Sequence, residues 1–325
     1  MSARPGRALW FPCSRYTVVW MQNRIKPEND RTAGAKSGSP KTGDFITGGV
    51  ILGAAMTHAG SHRGSIAAAT AVGRRSAASP RIIYLKERSL NMLKNDLILR
   101  NPLRLMQKDP QNSLLPVGGF GAVLARAGVG KTALLVQISL NSLLEGWNVL
   151  HISLEDPVEK VNLWYTEVFT HIARQYNVKP ANELWDALLP HRFIMTFRVE
   201  GFSVPKLDER LTDLIEQNIF TPHVIIIDGL PFDQNVRPPL AELKELTQRR
   251  GCHAWFTVRT HRHERPDEKG IPTQLTGLVD LFDVILELQP QDKDVHIMAL
   301  KGRENDSEQT GLMLDPATML ITETR

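Results

Sequence analysis

Between residues 120 and 325 the chain alternates continuous apolar runs with segments whose apolar residues recur every three or four positions. The runs at 122–124, 147–155, 192–199, 223–228 and 253–260 read as strands. His223-Val-Ile-Ile-Ile-Asp228 is the strongest of them, and its unbroken apolar stretch means that both faces are covered. Helices are expected between them. Leu134, Leu135, Ile138 and Leu143 form one stripe that ends at Gly146, a residue suited to a left-handed cap. Val161, Trp164, Val168, Ile172 and Tyr176 form a second stripe, which Asp156-Pro157 opens with Asp156 as cap and Glu159 completing a capping box. A short helix is expected over 183–189, a longer one after Pro205 with Leu207, Leu211, Leu214, Ile215 and Ile219 inward, and another over 239–250. Four closing strands at 283–288, 295–301, 311–315 and 319–322 have hairpin spacing.

This order predicts an α/β fold: a mostly parallel central sheet flanked by helices, with antiparallel strands at the C-terminal end. Right-handed crossovers bring the carboxyl ends of the parallel strands to one edge, where ligands bind.

Ahead of this region the pattern fails. Residues 1 to about 89 show no sustained period and are dominated by Gly, Ser, Ala, Pro and Arg, as in Gly73-Arg-Arg-Ser-Ala-Ala-Ser-Pro80. They are expected to be a disordered basic extension, residues 1–91, acting as a tethering arm or a transit peptide, or lying outside the natural protein. The functional domain is expected to span 92–325, opening near Met92 with short polar and apolar pieces up to Pro116.

Charge divides the same way. The first 91 residues hold 14 Lys and Arg against 4 Asp and Glu, so the +4 of the whole chain resolves into +10 there and −6 in the remainder. The folded part therefore carries no global field for a phosphate backbone, and a nucleic-acid partner is not supported by charge. With 42% apolar residues a sizeable core is affordable. Two cysteines, Cys13 and Cys252, allow neither a disulfide framework nor a zinc site, which suits a reducing cytoplasm. No apolar run approaches the roughly 18 residues of a membrane span, and Pro12 to Arg15 interrupt the stretch that a secretory signal would need.

The chemistry centres on Ala125-Arg-Ala-Gly-Val-Gly-Lys-Thr132, placed between an apolar strand and an amphipathic helix. This is the phosphate-loop pattern G-x-x-x-x-G-K-[ST] with Ala125 at its first position, where smallness matters more than positive φ. Ala127, Gly128, Val129, Gly130, Lys131, Thr132 and Ala133 are the expected nucleotide contacts. Backbone N–H groups and the helix dipole hold the phosphates, Lys131 adds a point charge, and the Thr132 hydroxyl reaches Mg²⁺. The predicted ligands are thus ATP and Mg²⁺.

Two carboxylates belong to the same edge. Asp228 ends its strand in the Walker B manner and is the second expected Mg²⁺ contact. Because Gly229 follows it, the base for hydrolysis must come from elsewhere. Glu155, at the tip of another strand, is the candidate to orient water; Asp156 is its rival.

Gly128-Val-Gly-Lys-Thr132, Ile152-Ser-Leu-Glu155, Ile225-Ile-Ile-Asp228 and Lys301-Gly-Arg303 together resemble the RecA-like ATPase core of recombinases, replicative helicases and KaiC-type ATPases over about residues 115–322. The resemblance implies Glu155 as base and Thr260 or His261 as a γ-phosphate sensor. It also implies that Lys301 and Arg303 reach the nucleotide of a neighbouring subunit in a ring or filament, which makes the working form a homo-oligomer. Departures limit the partner. Neither an extra helical domain nor a second core is expected, and the loop 261–272, placed where recombinases contact DNA, balances three Lys and Arg with three acids and has no aromatic to stack a base. His261 and His263 lack a third metal ligand at suitable spacing. Three functions follow: an ATPase motor on nucleic acid, a KaiC-like nucleotide switch on protein partners, or a non-hydrolysing ATP-binding scaffold.

Overall fold

The computed structural model describes residues 80–107, 114–232, 235–261, 264, 266–268, 270–302 and 308–324. From Tyr84 onward the described residues form one compact unit; of a second, Ile25–Ile83, only residues 80–83 are described, as the first residues of a helix. Most of the expected extension, residues 1–79, lies outside the described residues.

The chain enters through α1 (Pro80–Arg100) and a 3₁₀ turn at Pro102–Met106. The core then follows as β1 (Phe120–Ala125), α2 (Lys131–Leu144), β2 (Val149–Ser153), α3 (Val158–Gln175), α4 (Ala181–Leu188), β3 (Arg192–Thr196), α5 (Val204–Glu216), β4 (Val224–Asp228), α6 (Arg237–Arg250) and β5 (His253–Arg259). It closes with β6 (Val284–Gln291), β7 (Asp294–Lys301), β8 (Glu308–Leu314) and β9 (Ile321–Glu323).

One nine-stranded sheet runs β3-β2-β4-β5-β1-β6-β7-β8-β9. Its first six members are parallel and its last four are joined antiparallel, with β6 shared by both. The fold is thus the α/β architecture expected from the order of patterns, with the parallel sheet, flanking helices and antiparallel C-terminal strands that the resemblance to RecA-like P-loop proteins implies. Helix α1 is the difference: its residues 80–91 belong to the stretch expected to be a disordered extension, and from Met92 to Arg100 it continues where the sequence pattern suggests only short pieces. Tyr84, Leu85, Met92 and Leu99 stay exposed while Leu97 is buried, so its inward stripe is diluted by apolar residues that face out.

Period-2 alternation divides the strands between two layers. Ala122, Leu124, Ile152, Ile225, Ile227 and Phe256 belong to one core with Leu207 and Leu211 of α5 and Leu240, Leu243 and Leu246 of α6. The intervening residues, among them His151, Ser153, Asp228, Thr257 and Arg259, take the opposite face, where Tyr165 of α3 meets His151 and Thr132 of α2 meets Asp228. Every polar group of the site described below leaves the sheet on that second face or from its carboxyl rim.

Candidate nucleotide site

Strand order places the site. In the sheet β5 stands between β1 and β4, with Ala125 level with Arg259 and Ile227 level with Phe256; on the far side of β4, Asp228 is level with Ser153. The loop after β1, the tip of β2, the end of β4 and the end of β5 therefore open on one rim, around a cleft of about 650 Å³.

Residues 126–130 turn out of β1 and enter α2 at Lys131. Gly130 is the N-cap with φ +115°, and a Cβ there would stand 2.4 Å from Leu314 Cδ2, so the turn is closed to any larger residue both by conformation and by β8 behind it. No side chain caps α2. Its first-turn N–H groups and the positive end of its dipole thus face the cleft, an arrangement that favours an anion. The Lys131 ammonium donates to the carbonyls of Ala125 (3.1 Å) and Arg126 (3.0 Å), curling back over the loop. Burial pulls its pKa below the ordinary lysine value; the Asp228 carboxylate opposes this, Arg259 adds to it, and Glu155 opposes it.

Asp228 sits at the centre. It accepts from the Thr132 hydroxyl at 2.9 Å and from the Thr257 hydroxyl at 2.7 Å, while Thr257 accepts from the Gly229 N–H at 2.9 Å. The carboxylate is locked between α2 and β5, and among the described residues no ion pair involves it. Thr132 and Asp228 present hard oxygen donors of the kind Mg²⁺ takes one or two of, completing its shell with phosphates and water. This donor set fits the metal.

Glu155 leaves the tip of β2 exposed to solvent and lies along the backbone of Gly229, whose φ is +88°. Asp156 beside it does not cap α3 as the sequence suggests. Pro157 occupies that position and no side chain caps the helix; Asp156 instead receives the Lys160 ammonium at 2.8 Å and hydrogen-bonds the Ser153 hydroxyl through its own N–H at 2.9 Å. The Pro157 ring brings the chain into the helix at a fixed φ, which leaves Asp156 outside the first turn.

Most of the expected residues thus converge: Ala127, Gly128, Gly130, Lys131, Thr132, Ala133, Glu155 and Asp228 all line the cleft, with Val129 inside the loop. Of the two candidate sensors, His261 lines the cleft and Thr260 lines a neighbouring groove. Lys301 is not brought here within the chain. Its ammonium donates to the Val279 carbonyl at 2.9 Å, just ahead of β6, and its partner across the sheet is Ile285, which is level with Ala122. That is the amino-terminal rim. Arg303 lies outside the described residues, as does His263.

Sequence reasoning missed Thr257 and Arg259. Both belong to β5, and period 2 puts them on the face of Asp228, a signal that becomes usable only once β5 is known to lie between β1 and β4. It also missed the β8–β9 turn: Met319 lines the cleft behind Gly130.

Residues 102–263 match the family model of an AAA domain, AAA_25. The match covers the phosphate loop, Glu155, Asp228 and β5, and supports a nucleotide-binding P-loop ATPase family for this region. Among curated proteins no match to the chain is found. No helix of the described residues is long and apolar enough to cross a membrane.

Proposed function

We propose that the chain is a Mg²⁺-dependent ATPase. The observation that carries this reading is the convergence of three groups on one rim: the Lys131 ammonium folded over the loop, Asp228 held between Thr132 and Thr257, and Glu155 laid along Gly229. The loop binds the triphosphate through backbone N–H groups and α2, with Lys131 moving from the loop carbonyls to the phosphate oxygens. Thr132 and Asp228 would hold Mg²⁺, which supplies neutralisation of the charge on the transferred phosphoryl group. Glu155 accepts a proton from an attacking water, a role suited to a carboxylate that reaches the cleft from solvent rather than from the locked Asp228 position.

Lys301 and Arg303 serve a neighbouring subunit. A cation in trans stabilises charge at the phosphoryl group and makes turnover depend on assembly as a ring or filament. Lys301 facing away from its own cleft is compatible with service to another. A cytoplasmic setting suits the buried free thiol of Cys252. The partner is protein or nucleic acid. A second reading, a slow KaiC-like switch on protein partners, is favoured by the acidic balance of residues 92–325.

Turnover of the full chain with ATP, measured against protein concentration and with and without single-stranded DNA, tests these statements. Mg²⁺-dependent phosphate release that Glu155→Gln abolishes is expected, rising faster than linearly with protein concentration. Turnover indifferent to Glu155→Gln would place the base on another residue, and ATP binding without phosphate release would leave a nucleotide-binding scaffold. Salt-sensitive stimulation by DNA would select the motor over the switch.

A further inference from the structure

Arg259 ends β5 level with Ala125, the residue from which the phosphate loop departs. Strand alternation sets it on the face of Thr257, two residues earlier, whose hydroxyl is bonded to Asp228. It lines the cleft together with Lys131, Thr132 and Glu155, and its side chain is exposed. Among the described residues no carboxylate pairs with it and no hydrogen bond occupies its guanidinium.

Such a placement is unusual for an arginine whose cleft also holds acids: Asp228 is engaged by the Thr132 and Thr257 hydroxyls, and three more line the same space. Glu155, Asp156 and Glu264 all line the same cleft, yet Asp156 is engaged by Lys160 and Glu264 by the Thr273 hydroxyl and the Gln274 amide. Arg259 is also close enough to Lys131 for its charge to disfavour the ammonium. Two cations thus face one space across the mouth of the loop, and their mutual repulsion is relieved by a polyanion between them.

We infer that Arg259 is a cation for the terminal phosphate, supplied by the same subunit that binds the nucleotide. The inference rests on the nucleotide reading and adds to it: each subunit carries its own planar fork of donors for the γ-phosphate, besides Lys131 and apart from any cation in trans. A guanidinium offers two parallel N–H groups to one phosphate, which an ammonium does not. Contact with the γ-phosphate alone means that ATP and ADP are told apart by this residue. Arg259 is a catalytic residue in the strict sense, since the phosphoryl group it touches is the one transferred.

Affinities for ATP and ADP, measured on the full chain at low protein concentration for the wild type, Arg259→Ala and Arg259→Lys, test the inference. Arg259→Ala is expected to weaken ATP about ten- to a hundredfold, the value of a hydrogen-bonded charge, and to leave ADP unchanged, with kcat falling further than affinity. Arg259→Lys should recover part of the ATP affinity. Equal weakening of ATP and ADP, no change in either, or an ATP effect that vanishes on dilution would overturn the inference while the nucleotide reading stands. Failure of the wild type to bind either nucleotide would remove both. The exposed position, free of side-chain bonds among the described residues, lets the variants fold.

Discussion

Gly229 and Glu155 occupy one volume: a Cβ built on Gly229 would stand 2.7 Å from Cγ of Glu155. The strand that delivers Asp228 must therefore end in a residue without a side chain for the carboxylate from β2 to lie over it. Gly229→Ala carries two penalties. The first is a left-handed backbone, φ +88°, worth roughly 1–2 kcal/mol for a residue with a Cβ. The second is displacement of Glu155. Turnover is expected to fall at least about tenfold while ATP affinity changes little, because the loop and α2 are untouched. Stopped turnover together with lost ATP binding would mean that the substitution disturbs the loop rather than the base.

Thr257 bonds the Asp228 carboxylate and receives the Gly229 N–H. Thr257→Val keeps the shape and removes both bonds, leaving a half-buried carboxylate with fewer donors and an N–H without its acceptor, at a cost of roughly 1–3 kcal/mol. Half-maximal turnover should then require more Mg²⁺, and Thr257→Ser should restore the wild-type titration. An unchanged Mg²⁺ dependence in the valine variant would show that Thr132 alone orients Asp228.

The ease with which the fold could be read followed the range of the forces involved. Val224 to Ile227 betray a buried parallel strand because both faces of that strand are covered, a condition written in its own four residues. The phosphate loop is legible for the same reason: its curvature, charge and hydroxyl lie within eight consecutive residues. Thr257 and Arg259 were illegible because their meaning comes from strand order, and nothing in His253-Ala-Trp-Phe-Thr-Val-Arg259 states that β4 and β1 flank it. Glu155 is legible as a strand-end carboxylate and from the resemblance, whereas its contact with Gly229 emerges only when β2 and β4 are paired. Asp156 does not cap α3 because the helix starts one residue later, at Pro157 as N-cap, a shift of one position that spacing alone does not fix.

Two buried histidines make stability depend on pH. Burial, joined by the charge of His223, holds His253 down at about 4; burial also holds His151 at about 4, opposed by Asp228, reinforced by Arg192 and opposed by Asp156. Unfolded, each titrates near the ordinary value of 6.5. Between those values the unfolded chain binds more protons than the folded one, so stability falls as pH is lowered from about 6.5 towards 4 and is flat above it as far as these groups are concerned. Thermal melts from pH 8 to pH 4 should show Tm declining only in the lower part. His253→Leu, which keeps an apolar contact with Trp147, should flatten that decline. A decline of equal slope in the variant would assign the effect to other groups.

Gln137 ties the closing hairpin to the helix that follows the phosphate loop. Its amide donates to the Met319 carbonyl at 2.8 Å, and its carbonyl accepts from the Ile321 N–H at 2.8 Å, so one buried side chain satisfies two backbone groups of the β8–β9 turn. Met319 is held there with φ +56°, lining the cleft behind Gly130. Gln137→Leu conserves volume but orphans both groups, at roughly 1–3 kcal/mol each before the turn relaxes. Relaxation is the easier course, because β9 has three residues and lies at the edge of the sheet. Hydrogen exchange at Met319 to Glu323 should therefore accelerate by more than the loss in global stability accounts for, and ATP should bind more weakly as the wall behind Gly130 loosens. Gln137→Glu separates the two bonds. It keeps the acceptor for Ile321 and loses the donor to Met319, so protection at Ile321 should survive while the wall still loosens. Uniform exchange across the hairpin in both variants would mean that packing of Leu314 and Leu320, rather than this amide, holds the turn against the loop.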